Sequence, residues 1–268
     1  MREERKNSRK EPLTKMIYDL QKANMWKRIS AYLFDLILLF IAVVGFAFVL
    51  TLIVDFDGYT AQYAARQEII EQEHGVDLDI NSEDYDKLSE TEKAAFDEAV
   101  KALSADDEAV YAFSMIFNLT LIVTVFSILI SYFILEFVVP MCFGNGQTLG
   151  KKIFGLGVMR IDGVKISGPI LFIRTILGKC TLETLVPVLI IIMIVFGLVG
   201  FMGPIIILLI FGANIVMLCI TQYRYAVHDL LANTVVIDVA SQLIFNTPEE
   251  LLEYKQKIHA EMAEKAEY

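Results

Sequence analysis

The sequence predicts an all-α membrane protein with four transmembrane helices, a small extracytoplasmic helical insertion and a short cytoplasmic β-hairpin loop. Hydrophobic residues make up 56% of the 268 residues, and the mean hydropathy is +0.54. A soluble domain averages about 45 to 50% apolar residues. The excess is gathered into long apolar stretches, and the basic residues are concentrated in only some of the segments between them. These observations favour a bilayer-spanning bundle over a soluble core.

Four apolar stretches are long enough to cross a hydrocarbon layer of roughly 30 Å, which takes about 20 helical residues. They are residues 29 to 54, 110 to 139, 183 to 201 and 204 to 222. Because only Met202 and Gly203 separate the last two stretches and Pro204 follows, a tight antiparallel hairpin is favoured over one long helix. The first stretch is too long for a signal peptide, and no small-residue cleavage pattern follows it.

The distribution of basic residues predicts that both chain ends lie in the cytoplasm. The leader, residues 1 to 28, has nine Lys and Arg residues against four acidic ones, and the loop of residues 140 to 182 has six against one. Segments rich in Lys and Arg stay on the cytoplasmic side. Residues 55 to 109 have 17 acidic residues against four basic ones and are placed outside. An even number of spans returns the tail, residues 223 to 268, to the cytoplasm.

Short helices are predicted in the acidic insertion and in the tail. In the insertion, apolar positions at helical spacing over residues 59 to 74 end at Gly75, which suits a left-handed C-cap. Ser89 and Glu92 form a capping box ahead of a second helix. The insertion is interpreted either as a solvated spacer or as a docking surface for a basic partner or a divalent cation. The tail is predicted to form an acidic helix from about 248 to 266.

The inner loop contains the glycine-rich string GNGQTLGKKIFGLGVMRIDGVKIS over residues 144 to 167. A phosphate-binding loop is rejected, because Gly146 and Gly150 are too close together and Lys152 stands where a hydroxyl residue is required. Asp162-Gly163 instead suits the two-residue turn of a β-hairpin. The loop motif within this string comprises Gly146, Gln147, Thr148, Gly150 and Lys151.

Basic side chains of this loop are predicted to anchor it to the membrane surface. Anionic lipid headgroups attract each nearby cationic side chain by about 1 kcal/mol. The side chains concerned are Lys151, Lys152, Arg160 and Lys165. Anchoring is favoured over the binding of a ligand. Residues 168 to 181, which place Arg174 among apolar residues, are predicted to form a separate interfacial helix.

Ionisable residues at membrane depth gather toward the predicted inner ends of the spans. Asp35 lies in the first span, Glu136 near the end of the second and Glu183 at the start of the third. A carboxylate in a membrane helix is costly, so it is usually paired, protonated or functional. The predicted membrane charge cluster comprises Arg28, Asp35, Glu136, Arg174, Arg224, His228 and Asp229. It is interpreted either as an ion-paired clamp that fixes helix packing or as an inward-open binding site.

A partner for Asp35 is sought on another segment. Arg28 lies seven residues before Asp35 on the same helix face. A contact between them would require Arg28 to reach inward, against the tendency of arginine to rise to the interface. Arg174 and Arg224 are therefore the predicted partners.

Composition argues against several classes of function. The net charge of −10 and the sequence pI of about 4.9 argue against nucleic-acid binding, which requires a basic surface. The three cysteines share no metal-like spacing. With only three histidines, no Ser/His/Asp or Cys/His arrangement is supported. We therefore expect no enzymatic activity, no metal and no cofactor.

Three blocks of the sequence resemble the RDD family of bacterial membrane proteins. The pattern AxxxxRxxAYxxD extends from Ala23 to Asp35, GQTLGKKIFGLGV follows the second span, and HDLLANTVVIDV follows the last. The family is named for one arginine and two aspartates, which map to Arg28, Asp35 and Asp229. The resemblance implies a multi-pass helical protein of the bacterial cell membrane, often suspected of transport and mostly without a defined activity. The insertion is longer than the resemblance leads us to expect.

Two functions are considered. The first is transport of a small solute or cation, with exchange of the Na⁺/H⁺ type included. The second is a non-transporting membrane scaffold or regulatory protein that presents the acidic insertion to a partner. Because four spans enclose little volume, a pore would require a homo-oligomer.

Overall fold

The computed structural model describes residues 23 to 220 and 225 to 266. These residues are mostly helical and form two compact units. The terminal unit contains the described residues up to Val43 and those from Ile128 onward, and the inserted unit is Val44–Ser127. Most of the predicted leader and Arg224 lie outside the described residues.

Three helical runs among the described residues are long and apolar enough to cross a membrane. They are Met25–Ile53, Asp107–Phe143 and Gly168–Val195. Large apolar side chains on the first run are exposed, Phe40 by 68% for example, as a helix surrounded by lipid requires. A fourth apolar run, Met202–Met217, is shorter. The four-span arrangement therefore stays a prediction.

The first long helix, α1, is Met25–Ile53. Three short or medium-length helices follow it within the inserted unit. Helices α2, α3 and α4 cover Phe56–His74, Ser82–Lys87 and Glu90–Ala105. Gly75 ends α2 in the left-handed conformation at φ +66°, and Ser89 and Glu92 form a capping box at the start of α4. Both sequence predictions are confirmed. Helices α2 and α4 pack together and bury Ile70 and Ala99.

The second and third long runs each contain a π-helical segment. The second run consists of α5 (Asp107–Tyr132), a first π segment (Phe133–Val138) and α6 (Val139–Phe143). It is followed by the short helix α7 (Leu149–Ile153) and strand β1 (Leu156–Arg160). The third run consists of α8 (Gly168–Phe172), a second π segment (Ile173–Leu185) and α9 (Val186–Val195).

Proline accounts for the position of both π segments. Pro140 and Pro187 each lie two residues after the end of a π segment. Proline lacks an N–H and clashes with the carbonyl four residues before it, and the wider π turn relieves this in membrane helices. The carbonyl four residues before Pro140 belongs to Glu136. It accepts a hydrogen bond from the Thr175 hydroxyl at 3.2 Å, so the freed acceptor is satisfied by the third run.

Two helix boundaries differ from those predicted from the sequence. The segment of residues 168 to 181, expected as a separate interfacial helix, is continuous with the third span, because the second π segment carries the helix past Gly178. The turn before α10 (Met202–Ile220) occurs at Gly197, which has φ +70°, instead of at Gly203-Pro204. Pro204 lies in the first turn of α10, where its missing N–H is not needed.

The β-hairpin prediction gave the first strand the wrong partner. Strand β1 pairs antiparallel with β2 (Thr234–Asp238), which follows the short helix α11 (Val227–Leu231), and Val158 faces Val236. A turn does form at Asp162-Gly163, but only one bridge follows it. The backbone N–H of Lys165 donates instead to the Phe245 carbonyl at 2.8 Å. Both β1 and β2 are buried, so the apolar β2 displaces the nearer segment as partner.

The tail helix is confirmed. Helix α12 covers Pro248–Ala266. Within the terminal unit, the ring of Tyr254 on α12 packs against that of Phe245, with the ring centroids 5.2 Å apart.

Candidate functional site: a charged cavity

A cavity of about 300 Å³ lies within the terminal unit. One part of its lining is apolar and includes Ile29, Ile210 and Phe211. The remainder is dominated by ionisable groups. These are Arg28, Asp35, Lys151, Arg174, Lys179, Glu183, His228 and Asp229. The structure therefore brings most of the predicted charge cluster to one partly open cavity.

Asp229 is bound by two arginines. Arg174 donates from Nε and Nη2 to Oδ1 at 3.0 and 2.7 Å, and Arg28 Nη2 lies 3.6 Å from Oδ2. His228 Nε2 lies 3.7 Å from Oδ1. Burial raises the pKa of Asp229, but the charges of Arg174, His228 and Arg28 outweigh this and lower the pKa below its ordinary value. Asp229 is thus an anion locked in place by cations, and Arg28 turns inward instead of rising to the interface.

Among the described residues, Asp35 is held by the loop motif and by no arginine. The Thr148 hydroxyl donates to Oδ2 at 2.5 Å, and the Gly150 N–H donates to Oδ1 at 2.7 Å. Lys151 Nζ lies 4.0 Å from Oδ2. The predicted pairing of Asp35 with Arg174 is therefore wrong, and the alternative pairing with Arg224 lies outside the described residues. The sequence carried no signal for this contact, because it joins residues 113 positions apart.

Glycine is required at position 150 by the close approach of α1. A Cβ atom there would lie 2.4 Å from the Ala31 carbonyl oxygen, well inside van der Waals contact. Two other residues of the loop motif fix the loop to β1. Gly146 packs against Val158 with φ +58°, and Gln147 Nε2 donates to the Leu156 carbonyl at 2.7 Å. The loop motif therefore builds the support for Asp35.

Glu136 pairs with Lys179, a residue the sequence analysis left out of the cluster. Lys179 Nζ donates to Glu136 Oε1, and both side chains are buried. Glu136 Oε2 has no hydrogen-bond partner within the described parts of the chain, so the pair is held through one oxygen. A π turn bonds residues five positions apart, which brings Lys179 to the side occupied by Arg174. Pro187 was the available signal for this turn.

Glu183 contacts α11. His228 Nδ1 lies 2.9 Å from Glu183 Oε2, and the His228 backbone N–H donates to Oε1 at 3.1 Å. The approach of α11 depends on Gly178, where a Cβ would lie 2.7 Å from the Cβ of His228. Glu183 therefore joins the second π segment to the segment that contains Asp229.

Lys151 faces the cavity and not the lipid surface. Only 12% of its side chain is exposed, so the expectation that it contacts headgroups is wrong. Its Nζ donates to Thr148 Oγ1 at 3.2 Å. Burial, reinforced by the charges of Lys179 and Arg174 and partly offset by Glu136 and Asp35, lowers the pKa of Lys151 to about 8. Of the other basic residues in that prediction, Lys152 contacts the ring of Phe143 and Arg160 pairs with Asp162.

Among the described residues, no group of three His, Cys, Asp or Glu side chains is arranged to hold a metal ion. The chemistry available to the cavity is therefore that of ion pairs and hydrogen bonds with amines, guanidinium groups and carboxylates.

Comparison with known families gives one match. The model of the RDD family matches residues 22–233, which cover more than half of the chain and include every ionisable residue that lines the cavity. No curated protein and no solved structure matches the chain.

Proposed function

The chain is a membrane protein of the RDD family, and we propose that it carries a small ionic solute across the bilayer, with the charged cavity as the binding site. The observation that supports this is the cavity itself. Eight ionisable side chains line a partly open cavity next to helices whose outer surfaces are apolar. Buried charges are expensive in such a setting, so they mark a functional site by default.

A helix clamp explains part of this arrangement. Buried pairs such as Arg174–Asp229 and Glu136–Lys179 join neighbouring segments and would serve a clamp well. A clamp gains nothing, however, from an open space between its pairs, because close packing would exclude water better. The volume of about 300 Å³ lies at the lower end of the range of ligand pockets. We therefore favour solute binding over packing alone.

The proposal is tested by measuring flux with the purified protein in liposomes. A panel of cations and small anions is applied with and without a pH gradient, so that exchange of the Na⁺/H⁺ type is one of the outcomes. Asp35→Asn keeps an acceptor for Gly150 but loses the acceptor for the Thr148 hydroxyl, and we expect it to abolish flux. Arg66→Gln in the inserted unit is the control and should leave flux unchanged. Absence of flux for every solute would contradict the proposal.

A scaffold or regulatory role is the second candidate. It is favoured by the self-contained packing of the inserted unit, whose helices have their own caps and whose Arg66 pairs with Asp106. A spacer would not require such order. Deletion of residues 60 to 105 should abolish capture of a protein partner under this hypothesis and leave flux intact under the first. Asp35→Asn should abolish flux under the first hypothesis and leave partner capture intact under the second.

We also propose that the chain lies in the bacterial cell membrane with both ends in the cytoplasm and performs no enzymatic step. The charge distribution of the loops supports this orientation. Single cysteines introduced by Asn81→Cys or Lys257→Cys, in a chain without its own cysteines, would test it. An impermeant thiol reagent applied to whole cells should label the first and not the second. Crosslinking in the membrane would test the proposed homo-oligomer.

A further inference from the structure

We propose that the solute of the cavity is a short-chain carboxylate, whose negative group binds the Lys151 ammonium and whose chain occupies the apolar part of the lining. This inference rests on the cavity being the solute site of the proposed function. It goes further by naming the chemical class of the solute and the group that recognises it.

The charge of the lining favours an anion. Four cationic side chains line the cavity, namely Arg28, Lys151, Arg174 and Lys179, against three carboxylates, those of Asp35, Glu183 and Asp229. Glu136 pairs with Lys179 but does not itself line the cavity. More of these groups would repel an entering cation than attract it, and more would attract an entering anion than repel it.

Lys151 is the cation with the weakest partner. Arg174 and Lys179 each hold a carboxylate oxygen at hydrogen-bonding distance. Lys151 Nζ is 4.0 Å from its nearest carboxylate oxygen, on Asp35. Both oxygens of Asp35 already accept closer hydrogen bonds, from Thr148 and Gly150. An ammonium group has three N–H donors, and the bond to Thr148 Oγ1 uses one of them, which leaves donors for a ligand.

The lowered pKa of Lys151 supports the same assignment. Desolvation and the nearby cations Lys179 and Arg174 oppose its protonation, and the charges of Glu136 and Asp35 do not compensate fully. A carboxylate bound at Nζ supplies the missing negative charge and raises the pKa again. Binding therefore takes up a proton wherever part of the Lys151 population is neutral before binding.

The apolar lining sets the rest of the ligand. Ile29, Ile210 and Phe211 offer no donor to a second polar group. A volume of about 300 Å³ corresponds to roughly ten water molecules, which suits a carboxylate with a few methylene groups. Butyrate is the probe, and butyramide is its uncharged counterpart of nearly the same shape.

The experiment is calorimetry of the purified full-length protein in detergent, between pH 7 and 9, in buffers of different ionisation enthalpy. We expect butyrate to bind, butyramide not to bind, and proton uptake to grow from near zero at pH 7 toward one proton per site at pH 9. Lys151→Gln should weaken binding about 10- to 100-fold. Lys152→Gln, which changes the adjacent lysine over the ring of Phe143, should leave binding unchanged.

Lys151→Arg separates recognition from folding. Arginine keeps the positive charge at all relevant pH values, so this variant should bind butyrate without proton uptake. Equal binding of butyrate and butyramide, wild-type affinity in Lys151→Gln, or proton uptake that persists in Lys151→Arg would overturn the assignment. Na⁺ flux in liposomes without butyrate binding would overturn it and leave the proposed transport standing. Butyrate binding without flux of any solute would support the assignment and contradict the proposed transport.

Discussion

The terminal unit and helices α2 to α4 of the inserted unit distribute polar and apolar residues in opposite ways. In the terminal unit the charged groups are inside, where Arg174 is 3% and Asp229 1% exposed, and large side chains such as Phe40 are outside. In the inserted unit small apolar residues such as Ala99 are inside, and Arg66 and Asp106 form a partly exposed pair. The hydrogen bond from Arg66 lowers the pKa of Asp106 below its ordinary value.

We attribute this contrast to the surroundings of the two regions, lipid for the terminal unit and water for helices α2 to α4. Lipid offers no hydrogen bonds, so a membrane bundle gathers its charges where they satisfy one another. Water solvates an exposed pair on its own and screens its attraction. Removal of one partner should therefore be severe in the terminal unit and mild in the inserted unit, and the variants below test that difference.

The largest effect is expected from Arg174→Gln. This change leaves Asp229 buried with Arg28 as its main remaining counter-charge at 3.6 Å. Breaking a buried ion pair costs about 3 to 5 kcal/mol, so the free energy of unfolding in a denaturing detergent titration should fall by that amount. The matched change Arg66→Gln in the inserted unit should have a far smaller effect. Equal losses in the two variants would show that the units do not differ in this way.

The double variant Arg174→Met/Asp229→Leu sharpens the same test. Replacement of both partners removes the charge that Arg174→Gln leaves unpaired, so it should recover much of the lost stability. We expect no flux in the double variant, because the cavity has lost two of its charged groups.

The next effect is steric. Gly150→Ala places a Cβ against the Ala31 carbonyl, which belongs to the backbone of α1 and cannot rotate away. We expect a loss of about 3 kcal/mol from this overpacking, together with weaker support of Asp35. Gly45→Ala, where no atom lies within 4 Å of the new Cβ, is the control and should be neutral or slightly stabilising. Unchanged stability in Gly150→Ala would mean that α7 is free to move away from α1.

The sequence predicted the local features of the fold and missed the contacts between distant segments. Gly75 and the Ser89–Glu92 capping box were predicted correctly because a cap is encoded within a few residues. The π turn at Lys179 was missed, although Pro187 was visible, because helical spacing was assumed to be that of an α-helix. The β1–β2 pairing joins residues nearly 80 positions apart, and the nearer segment offered an equally suitable pattern.

The candidate site shows the same division. The cost of a carboxylate in lipid was sufficient to single out Asp35 and Glu136 as paired groups. It could not identify their partners, since Thr148, Gly150 and Lys179 approach only through tertiary packing. Lys151 was assigned to the lipid surface because anionic headgroups attract a cationic side chain near them.

A smaller effect is expected in the pH dependence of stability. Lys151 has a pKa lowered to about 8 in the folded chain, against roughly 10.4 in an unfolded one. The unfolded state therefore binds more protons between about pH 8 and 10, and the free energy of unfolding should rise with pH in that window, by roughly 2 kcal/mol. Lys151→Met should remove this rise relative to the wild type. An identical pH profile in both proteins would contradict the burial of an ionisable amine.

The smallest effect concerns helices α2 to α4 of the inserted unit, where the Ser89 cap is exposed. Ser89→Ala removes the side chain that accepts from the Glu92 N–H and donates to the Glu92 carboxylate. Loss of such an N-cap costs about 1 kcal/mol, and hydrogen exchange should show it as faster opening of α4 alone. Lys101→Ala, at an exposed position of the same helix, is the control. Because α4 opens within its own unit, butyrate binding and flux should be unchanged, whereas a loss of either would mean that the inserted unit shares its stability with the cavity.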